Sequence, residues 1–437
     1  MTFQRSKLFQ AMAFTAVITG GMLHSQAMAA GTTAGTDINN KATLNFSVGG
    51  TPQTVVESSP TGNLTPGANN GVVTTFKVDR RINLVVATTN TAPVSVALGN
   101  SGMITSFTVT NSTNDVIDVI LSNIAAMAAA STGATGVDDA DFVNGNCTMH
   151  TDAAGATAAV TRLPSVAADA VVPVYVKCAI QPLTALAPQT YVAWNNRVNV
   201  VSLVGQAAIA AGGAAYTQDT GPDVATAVQN VFGDEAGGNA GVAGAAGSTL
   251  GGAGNGVDAY RDGLHSANSA YKIIMPILKV TKVETLVCDP LNGTTNPKRI
   301  PGALVRYSIT VSNDAVALAS GNLTTVTDQL QTDLTHDVNF VAGTSAATCI
   351  AGTAPTAGGL AGSGFRLSNV FVAPATAIRP AGPVYLTNAV DTDGAGIAAQ
   401  AITINYSNGL PVIGTTHTAG EIKPGESVTI EYQAFIK

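Results

Sequence analysis

Two nine-residue stretches, Met103–Asn111 and Val305–Asn313, limit what this chain can fold into. In Val305-Arg306-Tyr307-Ser308-Ile309-Thr310-Val311-Ser312-Asn313 the odd positions up to Val311 are apolar and the even ones polar. That is the period-two pattern of a strand with one face buried. The other stretch matches it position by position: Val305 with Met103, Tyr307 with Thr105, Ile309 with Phe107, Val311 with Val109, Asn313 with Asn111. A strand written twice predicts two sandwiches on one plan.

The other strand candidates are short, rich in β-branched residues and bounded by Gly, Asn, Ser or Pro. In the first half they are Val72–Val78, Arg81–Val86, Val116–Ile124, Val172–Cys178 and a closing strand Tyr191–Leu203 that carries Trp194, the one tryptophan and an expected core anchor. In the second they are Ile277–Lys282, Leu323–Val326, Val338–Phe340, Val370–Val372, Ala401–Tyr406 and Ser427–Ile436. Residues 236–256 are nearly all Gly and Ala and cannot build a core. The expected fold is all-β: two tandem Ig-like antiparallel β-sandwiches with a Gly/Ala-rich connecting excursion. The expected boundaries are 1–30 signal peptide, 31–50 N-terminal closing or donor strand, 51–204 first sandwich, 205–272 linker and 273–437 second sandwich.

The leader has Arg5 and Lys7, an apolar run from Leu8 to Leu23 and small residues at Ala27-Met28-Ala29, the signature of a secretory signal peptide. No later apolar stretch is long enough to span a membrane. Removing Arg5 and Lys7 leaves 18 basic against 27 acidic residues, a balance of −9, which argues against nucleic acid as a partner. Cys147, Cys178, Cys288 and Cys349 make an even count in an exported chain, so disulfides are expected. Locality favours Cys147 with Cys178 and Cys288 with Cys349.

Residues 36–48 read as a strand without a sandwich. Ile38, Ala42, Leu44, Phe46 and Val48 share one parity, and Asn39, Lys41, Thr43, Asn45 and Ser47 the other. The signature returns in Trp194-Asn195-Asn196-Arg197-Val198-Asn199-Val200, which closes a run of strands, whereas 36–48 has no such run before it. The last strand, Ser427–Ile436, corresponds to the penultimate Val172–Cys178 of the first half. The second sandwich is thus expected to lack a closing strand and to expose an apolar cleft and a row of backbone polar groups.

Several residues of the second half resemble a known family. Val280-Thr281-Lys282, Asp289-Pro290-Leu291-Asn292-Gly293, Ile300-Pro301-Gly302-Ala303, Tyr307–Asn313, Thr327-Asp328-Gln329-Leu330 and the Pro424–Ser427 turn together resemble the bacterial conserved-repeat module, domain of unknown function eleven. The resemblance covers about 277–437 plus 35–48, more weakly 81–204, and implies a cell-surface β-sandwich that ends in a strand of the Ile38–Val48 type. It names no chemistry.

Two functions are open at this point. One is a structural polymer in which residues 36–48 of one subunit complete the second sandwich of its neighbour, with Ile38, Leu44, Phe46 and Val48 filling alternate pockets. The other is a monomeric surface adhesin, with glycan or protein ligand, in which 36–48 pairs within its own chain. Enzyme motifs are lacking: there is no Gly-x-Ser-x-Gly or His-Glu-x-x-His, and no cofactor is expected. Asp138, Asp139 and Asp141 are a weak calcium candidate against the plainer reading of a solvated acidic loop, and Asp391-Thr392-Asp393-Gly394 reads as a turn.

Overall fold

The computed structural model describes residues 31–124, 143, 147–182, 191–195, 197–235, 259–338, 363–370, 384–409 and 417–437. The leader, Asp138, Asp139, Asp141, Cys349 and the Gly/Ala-rich 236–256 lie outside them. The described chain is almost wholly β and falls into an N-terminal arm and two sandwiches.

The arm comprises β1 (Asp37–Asn40), β2 (Thr43–Leu44), β3 (Ser47–Val48), β4 (Thr51–Pro52), β5 (Val56–Glu57) and β6 (Thr74–Lys77). They pair as an interrupted antiparallel ribbon, β3 with β4 at the tip, β2 with β5, and β1 with β6 at the base. Gly49 and Gly50, at φ 55° and 84°, take the left-handed conformations that a two-residue hairpin turn needs. Residues 36–48 are therefore not one continuous strand, and they close neither sandwich of their own chain. The turn brings 51–57 alongside at short range, and the ion pairs Lys77–Asp37 and Lys41–Glu57, each 2.8 Å, fix the register. Residues 51–77 belong to this arm and not, as expected, to the first sandwich.

The N-terminal sandwich contains β7 (Arg80–Ile82), β8 (Leu84–Thr88), β9 (Val94–Val96), β10 (Met103–Asn111), β11 (Ile117–Ile124), β12 (Thr148–His150), β13 (Arg162–Val166), β14 (Val171–Cys178), the helical turn α1 (Tyr191–Trp194), β15 (Val198–Ala208), β16 (Asn230–Phe232) and β17 (Leu264–Ile273). One sheet runs β12-β14-β10-β8 and the other β13-β11-β15-β17-β9. Phe107, Val109, Val119, Val174, Val201 and Leu203 fill the space between them. Burying each such side chain is worth about 1.5–3 kcal/mol. Trp194 joins this core, and Cys147 is bridged to Cys178.

Two expectations fail here. The closing strand starts at Val198 and runs to Ala208, with Tyr191–Trp194 helical. The supposed linker 205–272 contains the end of β15, all of β16 and most of β17, and β17 pairs with β15 over nine residues. The reason is chemical. β17 is largely Ser, Ala and Asn, which gives no apolar alternation, yet these small residues lie buried against β15 because their polar groups are satisfied across the strands. Ser202 Oγ donates to Asn268 Oδ1 at 2.6 Å and Ser269 Oγ to Asn90 Oδ1 at 3.0 Å.

The C-terminal sandwich contains β18 (Leu278–Cys288), β19 (Leu304–Asn313), β20 (Gly321–Asn322), β21 (Thr325–Gln329), β22 (Leu334–His336), β23 (Phe365–Val370), β24 (Val384–Leu386), β25 (Ala395–Ala398), β26 (Ala401–Asn405), the turn α2 (Tyr406–Gly409), β27 (Glu421–Ile422) and β28 (Ser427–Ile436). The large sheet runs β18-β19-β28-β23-β24, with β22 also on β28, and the small one β21-β26-β25. Ile309, Phe365, Ile402, Ile404, Ile430 and Tyr432 form the core. Cys288 is disulfide-bonded.

Candidate functional site

The β8–β10–β14 pairing of the first sandwich recurs as β18–β19–β28 in the second. Thr105 faces Val176 across β10 and β14, and Tyr307 faces Tyr432 across β19 and β28. Asn111 and Asn313 end the paired strands in the same way. Each is buried, takes a backbone bond from the turn that leads into its partner strand (Asp169 N–H to Asn111 O, Gly425 N–H to Asn313 O) and returns one (Asn111 N–H to Ala170 O, Asn313 N–H to Glu426 O). Their side-chain amides reach Val166 O and Ile422 O. The repeat seen in sequence is thus a repeat of backbone geometry. β20 with β21 takes the place of β11, and β26 with β27 that of β13, since Ile117–Val166 and Gly321–Ile422 are equivalent pairs.

That equivalence exposes a gap. In the N-terminal sandwich β11 pairs with β13 on one side and β15 on the other, and β17 follows β15. In the C-terminal sandwich β20 and β21 pair only with β27 and β26 among the described residues. Nothing described stands where β15 and β17 would lie, over the inner face of β18. Val86 of β8 and Val280 of β18 hold the same register, opposite Val109 and Val311. Val86 is 3% exposed and Val280 60%. In the first sandwich Gly205 of β15 lies against Leu84, Val119 and Val86. No described strand takes that place over Val280.

The mouth of this cleft is lined by the edges of both sheets. Lys282 Nζ on β18 reaches Asp328 Oδ2 on β21 at 2.6 Å, so one ion pair spans the two layers. The same ammonium lies 4.7 Å from the Tyr307 ring centroid, and the Tyr432 hydroxyl donates to Asp328. Burial and then the neighbouring carboxylate push the Tyr432 phenol far above its ordinary range. The Tyr307 and Tyr432 rings stack with centroids 5.2 Å apart. In the other sandwich the equivalent positions are the smaller Thr105 and Val176, and Tyr271 enters from β17, its hydroxyl donating to Met103 O at 2.8 Å. Two tyrosines floor the cleft where a strand from above supplies one. The outer edge of β18 pairs with no strand among the described residues, and Val283 on it is 57% exposed. A free edge beside an uncovered apolar face is the geometry of a strand acceptor.

The residues expected to self-associate all lie on the arm. Leu44, Phe46 and Val48 are 59%, 41% and 62% exposed, Ala42 is also exposed and Ile38 half-buried. Leu44 lies opposite Val56 and Ile38 opposite Phe76. No described hydrogen bond joins the arm to β18–β28; its base is held by the N-terminal sandwich, with Ala34 N–H to Asn114 O at 3.0 Å and Asn114 Nδ2 to Thr32 O at 3.0 Å. Sequence reasoning expected one absent strand but not the arm's own pairing, nor that the described residues leave the places of two strands, β15 and β17, without a counterpart. Recognising β17 as a strand was the signal for the width.

Other candidates resolve into structure. Asp391 and Asp393 accept from backbone and hydroxyl groups of their own turn, including Asp393 N–H to Asp391 and Ala395 N–H to Asp393. Among the described residues no group of three or more His, Cys, Asp or Glu is arranged to hold a metal ion, and no helix is long and apolar enough to cross a membrane.

No family model matches the chain and no curated protein matches it. Among solved structures it is similar to a DUF4466 family protein from Parabacteroides merdae, 9% identical, with a TM-score of 0.19 over 80% of this chain and 99% of that one. It is also similar to a chaperone–tip adhesin complex of CFA/I fimbriae biogenesis, 8% identical, with a TM-score of 0.14 over 92% and 86% of the two chains. Likeness at this level carries no argument about function, which rests on the cleft and the arm.

Proposed function

We propose that the protein is an exported structural subunit that self-associates head to tail, residues 36–48 of one copy completing the open side of the C-terminal sandwich of the next. The observation that carries this reading is the unequal cover of two equivalent residues, Val86 at 3% exposed and Val280 at 60%. The disulfide between Cys147 and Cys178 suits an oxidising compartment. Main-chain bonds along β21 would supply affinity, each about 0.5–1.5 kcal/mol net, and apolar side chains over Val280 the specificity. The two surfaces differ, so the contact is heterologous and builds an open filament unless the rotation closes a ring. The role is structural, not catalytic.

Val280→Asp tests it. The site is exposed, so the monomer keeps its fold, while a carboxylate in the covered cleft is costly to bury. Negative-stain microscopy and sedimentation of the concentrated mature protein should show threads for the wild type and single particles for the variant. A wild type that stays monomeric, or a variant that threads equally well, overturns the reading. The exposed apolar residues of the arm also support a second reading, a monomeric adhesin whose arm contacts a surface glycan or protein. Monomeric wild type that binds a glycan array would favour it.

A further inference from the structure

We infer that the arm docks as an intact two-stranded ribbon, β1–β6 still paired, and not as a single released strand. The inference rests on the proposed self-association and specifies its mode. The gap left among the described residues of the C-terminal sandwich is the place of β15 and β17, which are an antiparallel pair of neighbouring strands in the N-terminal one. One inserted strand would satisfy the edge of β21 and leave the outer half of the gap, over β18, uncovered. A ribbon fills both places. The arm is such a ribbon: residues 37–48 run out along one side, and 51–57 with 74–77 run back along the other.

The dimensions agree. Twelve residues at ~3.3 Å give a length of ~40 Å, close to the eleven residues of β15. A ribbon face of that length, two strands wide and with one edge paired, covers roughly 600 Å² per partner, about 1,200 Å² in total, the lower end of the range for specific interfaces. Phe76, Val72 and Val73, on the returning side, are 48%, 59% and 41% exposed, so apolar surface to be covered lies on both strands and not on 36–48 alone. Docking the ribbon whole also keeps the Lys77–Asp37 and Lys41–Glu57 pairs that release of a single strand would break.

A crosslink distinguishes the two modes. Asn39 and Thr75 face each other, both exposed, with Thr75 Oγ1 donating to Asn39 Oδ1 at 2.6 Å. Opposed antiparallel residues at this spacing suit a disulfide. The double variant Asn39→Cys/Thr75→Cys, oxidised and verified by mass, is compared with each single variant, alkylated, and with the wild type. We expect the locked arm to assemble with a critical concentration within about twofold of wild type. Failure of the locked arm alone, with both single variants assembling, overturns the ribbon and leaves strand release. If the wild type does not assemble at all, the proposed function falls together with this inference.

Discussion

Val86→Ala and Val280→Ala are the same substitution at the same register position of two sandwiches, and they should differ sharply in cost. Removing two carbons from the covered Val86, 3% exposed, forfeits about 1.6 kcal/mol of transfer free energy, and the cavity left under β15 and β17 raises the loss to about 2.5 kcal/mol. Val280, 60% exposed, retains less than half of that burial and leaves no cavity, so its truncation should cost the monomer about 0.6 kcal/mol. In the proposed assembly Val280 would become as covered as Val86, and the deferred part of the cost, about 1–2 kcal/mol, should appear as association five- to thirtyfold weaker, roughly tenfold per 1.4 kcal/mol. Urea unfolding followed by Trp194 fluorescence reads the N-terminal sandwich, because Trp194 is the one tryptophan and lies in that core. Hydrogen exchange of the β19 and β28 amides reads the C-terminal one. Equal destabilisation by the two substitutions in dilute monomer would refute the reasoning, because it would mean that the cleft over β18 is already covered within the chain.

Further outcomes follow from the same geometry. Asn111→Ala and Asn313→Ala each leave backbone groups without their side-chain partner, the Val166 carbonyl and Thr113 amide in one case and the Ile422 carbonyl and Ile277 amide in the other, so each should cost about 2–4 kcal/mol, confined to its own sandwich, by the same two readouts. Asp289 is pulled two ways. Burial alone would raise its carboxyl, but bonds from the Asn292, Lys298 and Leu291 amides and the Asn292 side chain hold it down at about 2. A carboxyl depressed in the folded state gives stability that is complete above its unfolded value and is lost as pH falls toward the folded one. The loop after β18 should therefore loosen between about pH 4 and pH 2, and Asp289→Asn should remove that acid sensitivity, both measurable by amide exchange.

How much was legible beforehand differs from strand to strand. Met103–Asn111 and Ser427–Ile436 were found with their bounds intact, because a strand with one buried face writes its own period into the residues. β17 was missed because both of its faces are buried by small polar side chains whose bonding partners, Asn90 and Ser202, are remote in sequence. The repeated Asn-Asn-cation signature was real as a sequence pattern but misleading as a guide to facing. On β15 Val201 and Leu203 turn to the main core, while Val198 and Val200 pack with Ala270 in a separate cluster.

The sequence alone determined the all-β class and the duplicated strand plan, since alternation and repetition are local properties of the chain. Where residues 36–48 go was decided only in three dimensions. Two glycines in left-handed conformations turn the chain back on itself, and the strand pairs with residues of 51–77, the partner nearest in sequence. The width of the gap was likewise a tertiary result, because it depends on which remote segments, β15 and β17, cover one sandwich and have no described counterpart over the other.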